Sequence, residues 1–193
     1  MKQPLKMHRP SSAIAAVFVI LSEVLDIAAS LSSSSTYTTP LFEIRLLGNA
    51  LITVMLSIIL FRGRKDTFAG VVFLITTIPP LFSVVYVHLA VLVVTESILL
   101  ALLCLLSGLV ETAFLGLAAK ECLTEGNISV GNGRVLLWLL PILCFCAELW
   151  TQMLLYFSDG MITGEMVTSS LAYAIPRWLG PILMGVSLSV PEK

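Results

Sequence analysis

Between Phe68 and Ala119 the chain runs for more than 50 residues with only Glu96, Glu111 and His88 to interrupt its apolar character. A water-soluble fold of 193 residues keeps too much surface for its volume to hide such a run. As one helix it would reach about 78 Å at ~1.5 Å per residue, against a hydrocarbon layer of ~30 Å. It is therefore predicted to fold back as two helices. A turn at Pro79-Pro80 would leave the second helix too long, so the turn is expected between Tyr86 and Ser97, with His88 or Thr95-Glu96-Ser97 at its wet point.

The rest of the chain repeats the pattern. Hydrophobic residues make up 58% and charged residues 12%, where a soluble domain has roughly a quarter charged. Apolar stretches long enough to cross a bilayer predict about six transmembrane helices, at 13–33, 41–61, 68–90, 97–119, 135–157 and 169–190. The expected fold is an all-α, polytopic integral membrane protein, one membrane domain over 1–193. Polar turns are expected at Ser34–Thr39 with Pro40, and at Ser158-Asp159-Gly160. The connections 62–67 and 120–134, the latter rich in glycine and asparagine, are expected to be cytoplasmic loops.

Lysine and arginine set the orientation. With the N-terminus in the cytoplasm, Lys2, Lys6, Arg9, Arg62, Arg64, Lys65, Lys120, Arg134 and Lys193 all fall on the inner side, leaving only Arg45 and Arg177 elsewhere. The C-terminus is then cytoplasmic too. Trp138 falls at the inner interface and Tyr86, Tyr156, Tyr173 and Trp178 near the outer one, as aromatic belts require. An inner or plasma membrane is the expected location. The basic start and short apolar run Ala13–Ser22 resemble a signal peptide, but Glu23 and Asp26 break the apolar character directly after it, and an uncleaved first helix is expected.

Charge inside hydrocarbon costs at least ~2.5 kcal/mol per residue, which makes each such group a functional candidate. Counted from the inner end of each span, Glu111 lies about 12 Å deep, Glu23 about 15 Å, and Asp26, Glu148 and Arg177 about 20 Å. Glu23 and Asp26 share a helix face. The expected arrangement is an interior polar cluster in which Arg177 pairs with Asp26 or Glu148. One arginine cannot neutralise three carboxylates, so the remainder call for a proton, water or a bound cation. The competing explanation is that these charges only orient helices against one another. Glu43 and Arg45 read as interfacial, and Glu96 and His88 as solvated or satisfied near the exterior turn.

Pro79, Pro80, Pro176 and Pro181 remove helical hydrogen bonds in mid-span. The third and sixth spans occupy matching places if the chain is two inverted halves, and such proline-interrupted pairs point to transporter sites. Irregular backbone is expected at all four, unless they are simple packing kinks. Gly108, Thr112 and Gly116 form a small-residue stripe that lets another helix approach closely, from this chain or from a partner membrane subunit.

Other chemistry is poorly supplied. Cys104, Cys122, Cys144 and Cys146 read as apolar fillers; Cys144 and Cys146 point about 200° apart on a helix and cannot grip one metal. No metal or cofactor is expected, and a net charge of −1 gives no reason to expect nucleic acid. No nucleophile elbow, zinc-binding histidine pair or phosphate-cradling glycine loop is present. The leading expectation is a small transport protein, or the substrate-binding membrane subunit of a transporter, handling a small polar or cationic solute with help from an ion gradient or a partner ATPase. A non-catalytic scaffold, sensor or immunity-type subunit is the alternative, and it rests on the glycine stripe. An intramembrane enzyme using paired carboxylates is the third, and it requires loss of activity when any one acid becomes an amide.

Overall fold

A computed structural model describes residues 6–33, 40–124, 132–158 and 164–190. Among the described residues all of the regular structure is helical. The helices are α1 (Arg9–Ser33), α2 (Pro40–Arg62), α3 (Thr67–Thr76), α4 (Ile78–Phe82), α5 (His88–Thr95), α6 (Ile98–Leu123), α7 (Asn132–Ser158) and α8 (Gly164–Ser189), with a π-helical turn over Ser83–Val87 joining α4 to α5. Four helical stretches are long and apolar enough to cross a membrane: Arg9–Ala28, Thr67–Val93, Ile98–Leu123 and Gly133–Thr151. Apolar side chains cover their outward faces, among them Ile14, Val17, Leu102, Leu106 and Val93. Apolar surface on this scale is compatible with a membrane location.

The expected turns at 34–39 and around Asp159-Gly160, and the glycine- and asparagine-rich 126–131, lie outside the described residues. So do Lys2, Lys193 and the side chains of Glu43, Arg45, Tyr156 and Tyr173. Helical structure outruns several expected boundaries. The connection expected over 120–134 is helical as far as Leu123, and α7 already begins at Asn132. Apolar runs mark where hydrocarbon would end, whereas the backbone goes on satisfying itself as helix beyond that point. The turn between the third and fourth rods falls at Glu96-Ser97. Glu96 is exposed and left-handed with φ 55°, and the Ser97 hydroxyl caps α6 by accepting from the Leu100 N–H at 3.4 Å. His88 is inside the helical rod, at the start of α5, and not in the turn.

The packing order closes on itself. α1 packs on α2, α2 on α3, α3 on α6, α6 on α7, α7 on α8, and α8 on α1, the last being the most extensive contact. α4, the π-helical turn and α5 continue the third rod against α6. Counting α3 to α5 as one interrupted rod, six rods form a ring.

One end of that ring is stitched together by polar contacts. Gly63, at φ 58°, turns the chain out of α2, and its carbonyl accepts from the Met7 N–H at 2.9 Å. The His8 N–H donates to the Ser187 carbonyl at 3.0 Å. Asp66 caps α3 through the Ala69 N–H and accepts from Arg62, both at 2.9 Å. At the centre Lys65 reaches inward, donating to Glu121 Oε1 at 3.0 Å and to the Leu188 carbonyl at 2.5 Å. The two side chains are only 4% and 2% exposed. By sequence alone, Lys65 and the segment holding Glu121 read as parts of solvated loops. The structure corrects that, because closure of the ring encloses both.

Prolines and glycines set the walls. Pro79 and Pro80 have no N–H for the carbonyls of Ile75 and Thr76, so α3 ends at Thr76 and the prolines fall in the first turn of α4, where a missing donor costs least. At Pro176 and Pro181 α8 continues as helix, each proline leaving one carbonyl, of Ala172 and of Arg177, without its helical donor. A third proline, Pro141 inside α7, leaves the Leu137 carbonyl without its helical donor. Gly185 of α8 lies against that oxygen, and a Cβ there would run into the Leu137 carbonyl and crowd Trp138 Cα at 3.1 Å. The missing side chain at Gly185 thus lets the two backbones meet where the helical bond is lost. Gly180 does the same service toward α1, its Cβ direction meeting the Val19 backbone nitrogen at 3.2 Å. Gly108 packs against Val84 and the Pro80 carbonyl of the same chain, while nothing lies within 4 Å of a Cβ at Gly116.

The buried pair and the close glycine can both be tested by substitution. Lys65→Met strands a buried carboxylate and is expected to cost about 3–5 kcal/mol, whereas Lys65→Met with Glu121→Leu recovers most of it; thermal melts in detergent measure both, and maleimide labelling of buried Cys122 reports the opened end. Gly185→Ala is expected to cost about 1–3 kcal/mol because backbone must shift, while Gly116→Ala stays within about 0.5 kcal/mol of the parent or gains slightly.

Candidate functional site

A partly open cavity of about 170 Å³ lies at mid-bundle, and every rod contributes to its wall. α1 supplies Glu23, α2 Thr53, α3 Thr76, α6 Glu111, α7 Cys144, and α8 Arg177 with Trp178. A neighbouring lobe of about 290 Å³ shares Glu23, Thr53, Thr76, Glu111 and Arg177, and adds Asn49, Pro79 and Pro80. Much of the remaining surface is apolar, from Leu56, Phe114, Leu115 and Met184.

Several polar side chains in and beside the wall have a local reason for their place. Glu23 is half-buried and accepts from the Thr53 hydroxyl at 3.2 Å, which ties α1 to α2 in mid-span. Thr76 is the last residue of α3, and its hydroxyl returns to the Val72 carbonyl at 2.7 Å where the prolines interrupt the ladder. Thr112 likewise donates to the Gly108 carbonyl at 2.7 Å, so this hydroxyl turns back on its own helix beside Glu111.

Glu148 stands one turn beyond Cys144 on α7, and its carboxylate is 16% exposed. One oxygen lies 3.4 Å from Arg177 Nη1, and the other accepts from the Trp178 indole N–H. Two consecutive residues of α8 therefore hold it. Arg177 keeps 45% of its side chain exposed and still lines both lobes. Glu111 is within electrostatic reach of Arg177 and Glu148.

Of the residues singled out from sequence, the structure brings Glu23, Glu111 and Arg177 to one cavity, with Glu148 holding the arginine from behind. Pro79 and Pro80 line its second lobe, and Pro181 lines the first. Asp26 is one turn from Glu23, within electrostatic reach of it, and does not line the cavity. Gly108, Thr112 and Gly116 are not wall residues. Sequence reasoning misses Thr53, Thr76, Asn49 and Trp178 as site residues. A signal exists for two of them: Asn49 and Thr53 are four apart on α2, hence on one face. Among the described residues no group of three or more histidines, cysteines or acids is placed to hold a metal ion.

What these elements define is an all-helical bundle, compatible with a membrane, built round an acid-rich cavity. Comparisons with protein-family models, with curated proteins and with solved structures find no match to this chain.

Proposed function

We propose that the chain is a six-span protein of an inner or plasma membrane that binds a small polar or cationic solute in its central cavity. It would act as a small transporter, or as the substrate-binding membrane subunit of a larger one. The observation that carries the reading is the cavity wall itself, to which all six rods send a side chain and which holds Glu23, Glu111 and Arg177 together. A bundle whose charges served only to orient helices would pair them in the seams and fill its centre with apolar side chains. Here the carboxylates border a space large enough for a solute.

Six spans are supported by rod lengths as well as by the four most apolar stretches. α2 has 23 residues and α8 has 26, against about 20 needed to cross. The stitched end supports a cytoplasmic placement of both termini, because Lys6, Arg9, Arg62, Arg64, Lys65 and Lys120 belong to the segments gathered there. Gly108, the best feature for a subunit-docking reading, is occupied within the chain by Val84 and Pro80. Coupling to an ion gradient or a partner ATPase completes the proposal.

Thermal-shift measurement on detergent-solubilised protein tests the solute site. The panel is sodium, potassium, ammonium, methylamine, ethanolamine, choline, 1,4-diaminobutane and glycine. At least one is expected to raise the melting temperature, with Glu111→Gln abolishing the shift while leaving the unliganded melt unchanged or higher. A panel with no stabilising member would sink the reading. Orientation is tested separately: a green fluorescent protein fused at the C-terminus is expected to fluoresce and an alkaline phosphatase to stay inactive, and the reverse pattern refutes it.

A further inference from the structure

Three carboxylates meet one guanidinium around the cavity. Glu23 and Glu111 line it, Glu148 stands behind it, and Arg177, the single cation among the described wall residues, is engaged by Glu148. With all three ionised, the acids exceed the guanidinium by two. Glu148 is the acid that contacts Arg177, and Glu23 and Glu111 are the two that border the space. Their helices, α1 and α6, stand across the ring from one another, with α2 and α3 between them on one side and α7 and α8 on the other. Leu56, Phe114 and Leu115 supply apolar wall in the same cavity.

On the reading that this cavity is a solute site, the geometry points to a small diammonium solute, a short α,ω-diamine, as its occupant. One ammonium meets Glu23, which the Thr53 hydroxyl steadies, and the other meets Glu111. The methylene chain lies against Leu56, Phe114 and Leu115. A neutral solute leaves both carboxylates to be neutralised by protons or water and a monoamine leaves one, whereas a diammonium pairs with both in their charged form. A zwitterion would add an anion where acid is already in excess. Size allows it: the first lobe of about 170 Å³ is by itself comparable to the ~150 Å³ that accepts benzene, so it has room for the six non-hydrogen atoms of 1,4-diaminobutane.

Calorimetric titration of the detergent-solubilised full chain compares 1,4-diaminobutane, n-butylamine and 1,8-diaminooctane. The four-carbon diamine is expected to bind about tenfold or more tighter than butylamine, the worth of one further charge-assisted hydrogen bond. The eight-carbon diamine has to extend past both carboxylates into the second lobe, beside Pro79 and Pro80, and is expected to bind more weakly than the four-carbon one. Glu23→Gln and Glu111→Gln are each expected to bring the diamine down to the butylamine level. Equal affinity for diamine and monoamine in the parent protein, as protonated acids would give, overturns the assignment; so does the absence of diamine binding. Either result leaves the solute site itself to be judged by the wider panel above, and the parent-protein comparison needs no variant to fold.

Discussion

The Lys65 ammonium, enclosed by the Glu121 carboxylate and the Leu188 carbonyl, is the interaction on which the closed ring depends. Lys65 belongs to the connection between α2 and α3, yet its partners are on α6 and α8, helices that touch each other little. A single side chain therefore crosses the end of the ring and ties it shut. Burial raises the stakes. In water such a pair contributes little, but with both side chains almost wholly enclosed, removal of either leaves the other's charge buried without its counter-ion. The Met7 and His8 amides bring the start of α1 into the same cluster through Gly63 and Ser187. The largest contact in the bundle, α1 on α8, begins from that anchored point.

Away from this end, the ring is held by close approach of backbones. In hydrocarbon there is no hydrophobic drive for helices to associate, so contact area and weak polar contacts must supply the attraction. Gly180 and Gly185 allow α8 to lie close to α1 and α7 at once. Pro141 makes the second approach favourable as well as possible, because it exposes the carbonyl that Gly185 then covers. Pro79 and Pro80 act differently: they end α3, and the rod resumes through a π-helical turn whose Val84 rests on Gly108. The rod's change of course beside Thr76, Pro79 and Pro80 borders the second lobe of the cavity. A straight, uninterrupted third rod would have no such recess.

Helical content and the apolar spans are legible because they rest on composition and length, which a sequence states directly. Glu23, Glu111, Glu148 and Arg177 are legible as candidates because charge in an apolar run is conspicuous wherever the helices later pack. Their partners are not. Glu148 rather than Asp26 holds Arg177, and that choice depends on helix rotation, which an apolar-all-round span does not reveal. Lys65 and Glu121 are hidden for the opposite reason: they sit among other charges at span ends, where solvation is the ordinary fate, and only the ring's closure buries them. The prolines show the same limit. Sequence gives the missing donor at Pro176 and Pro181 as clearly as at Pro79 and Pro80, but not whether neighbours keep the rod helical.

The two buried sets of charge differ in a way that bears on function. At the stitched end, Lys65 meets Glu121 one to one, with a carbonyl completing the lysine's contacts, and the side chains leave no wide space between them. In mid-bundle, acids outnumber the guanidinium and the space between the walls is open. A fold that can neutralise a buried carboxylate at one end has the means to do so at its centre, where a lysine in place of Thr76 or Asn49 would face the same cavity. Instead those positions carry neutral groups that can hydrogen-bond without fixing the charge. Selection for stability alone would favour pairing the acids or removing them. Keeping them unbalanced beside a cavity is the arrangement expected of a site whose missing charge arrives from outside, and this is why the proposed function rests on the cavity and not on the ion pair that closes the ring.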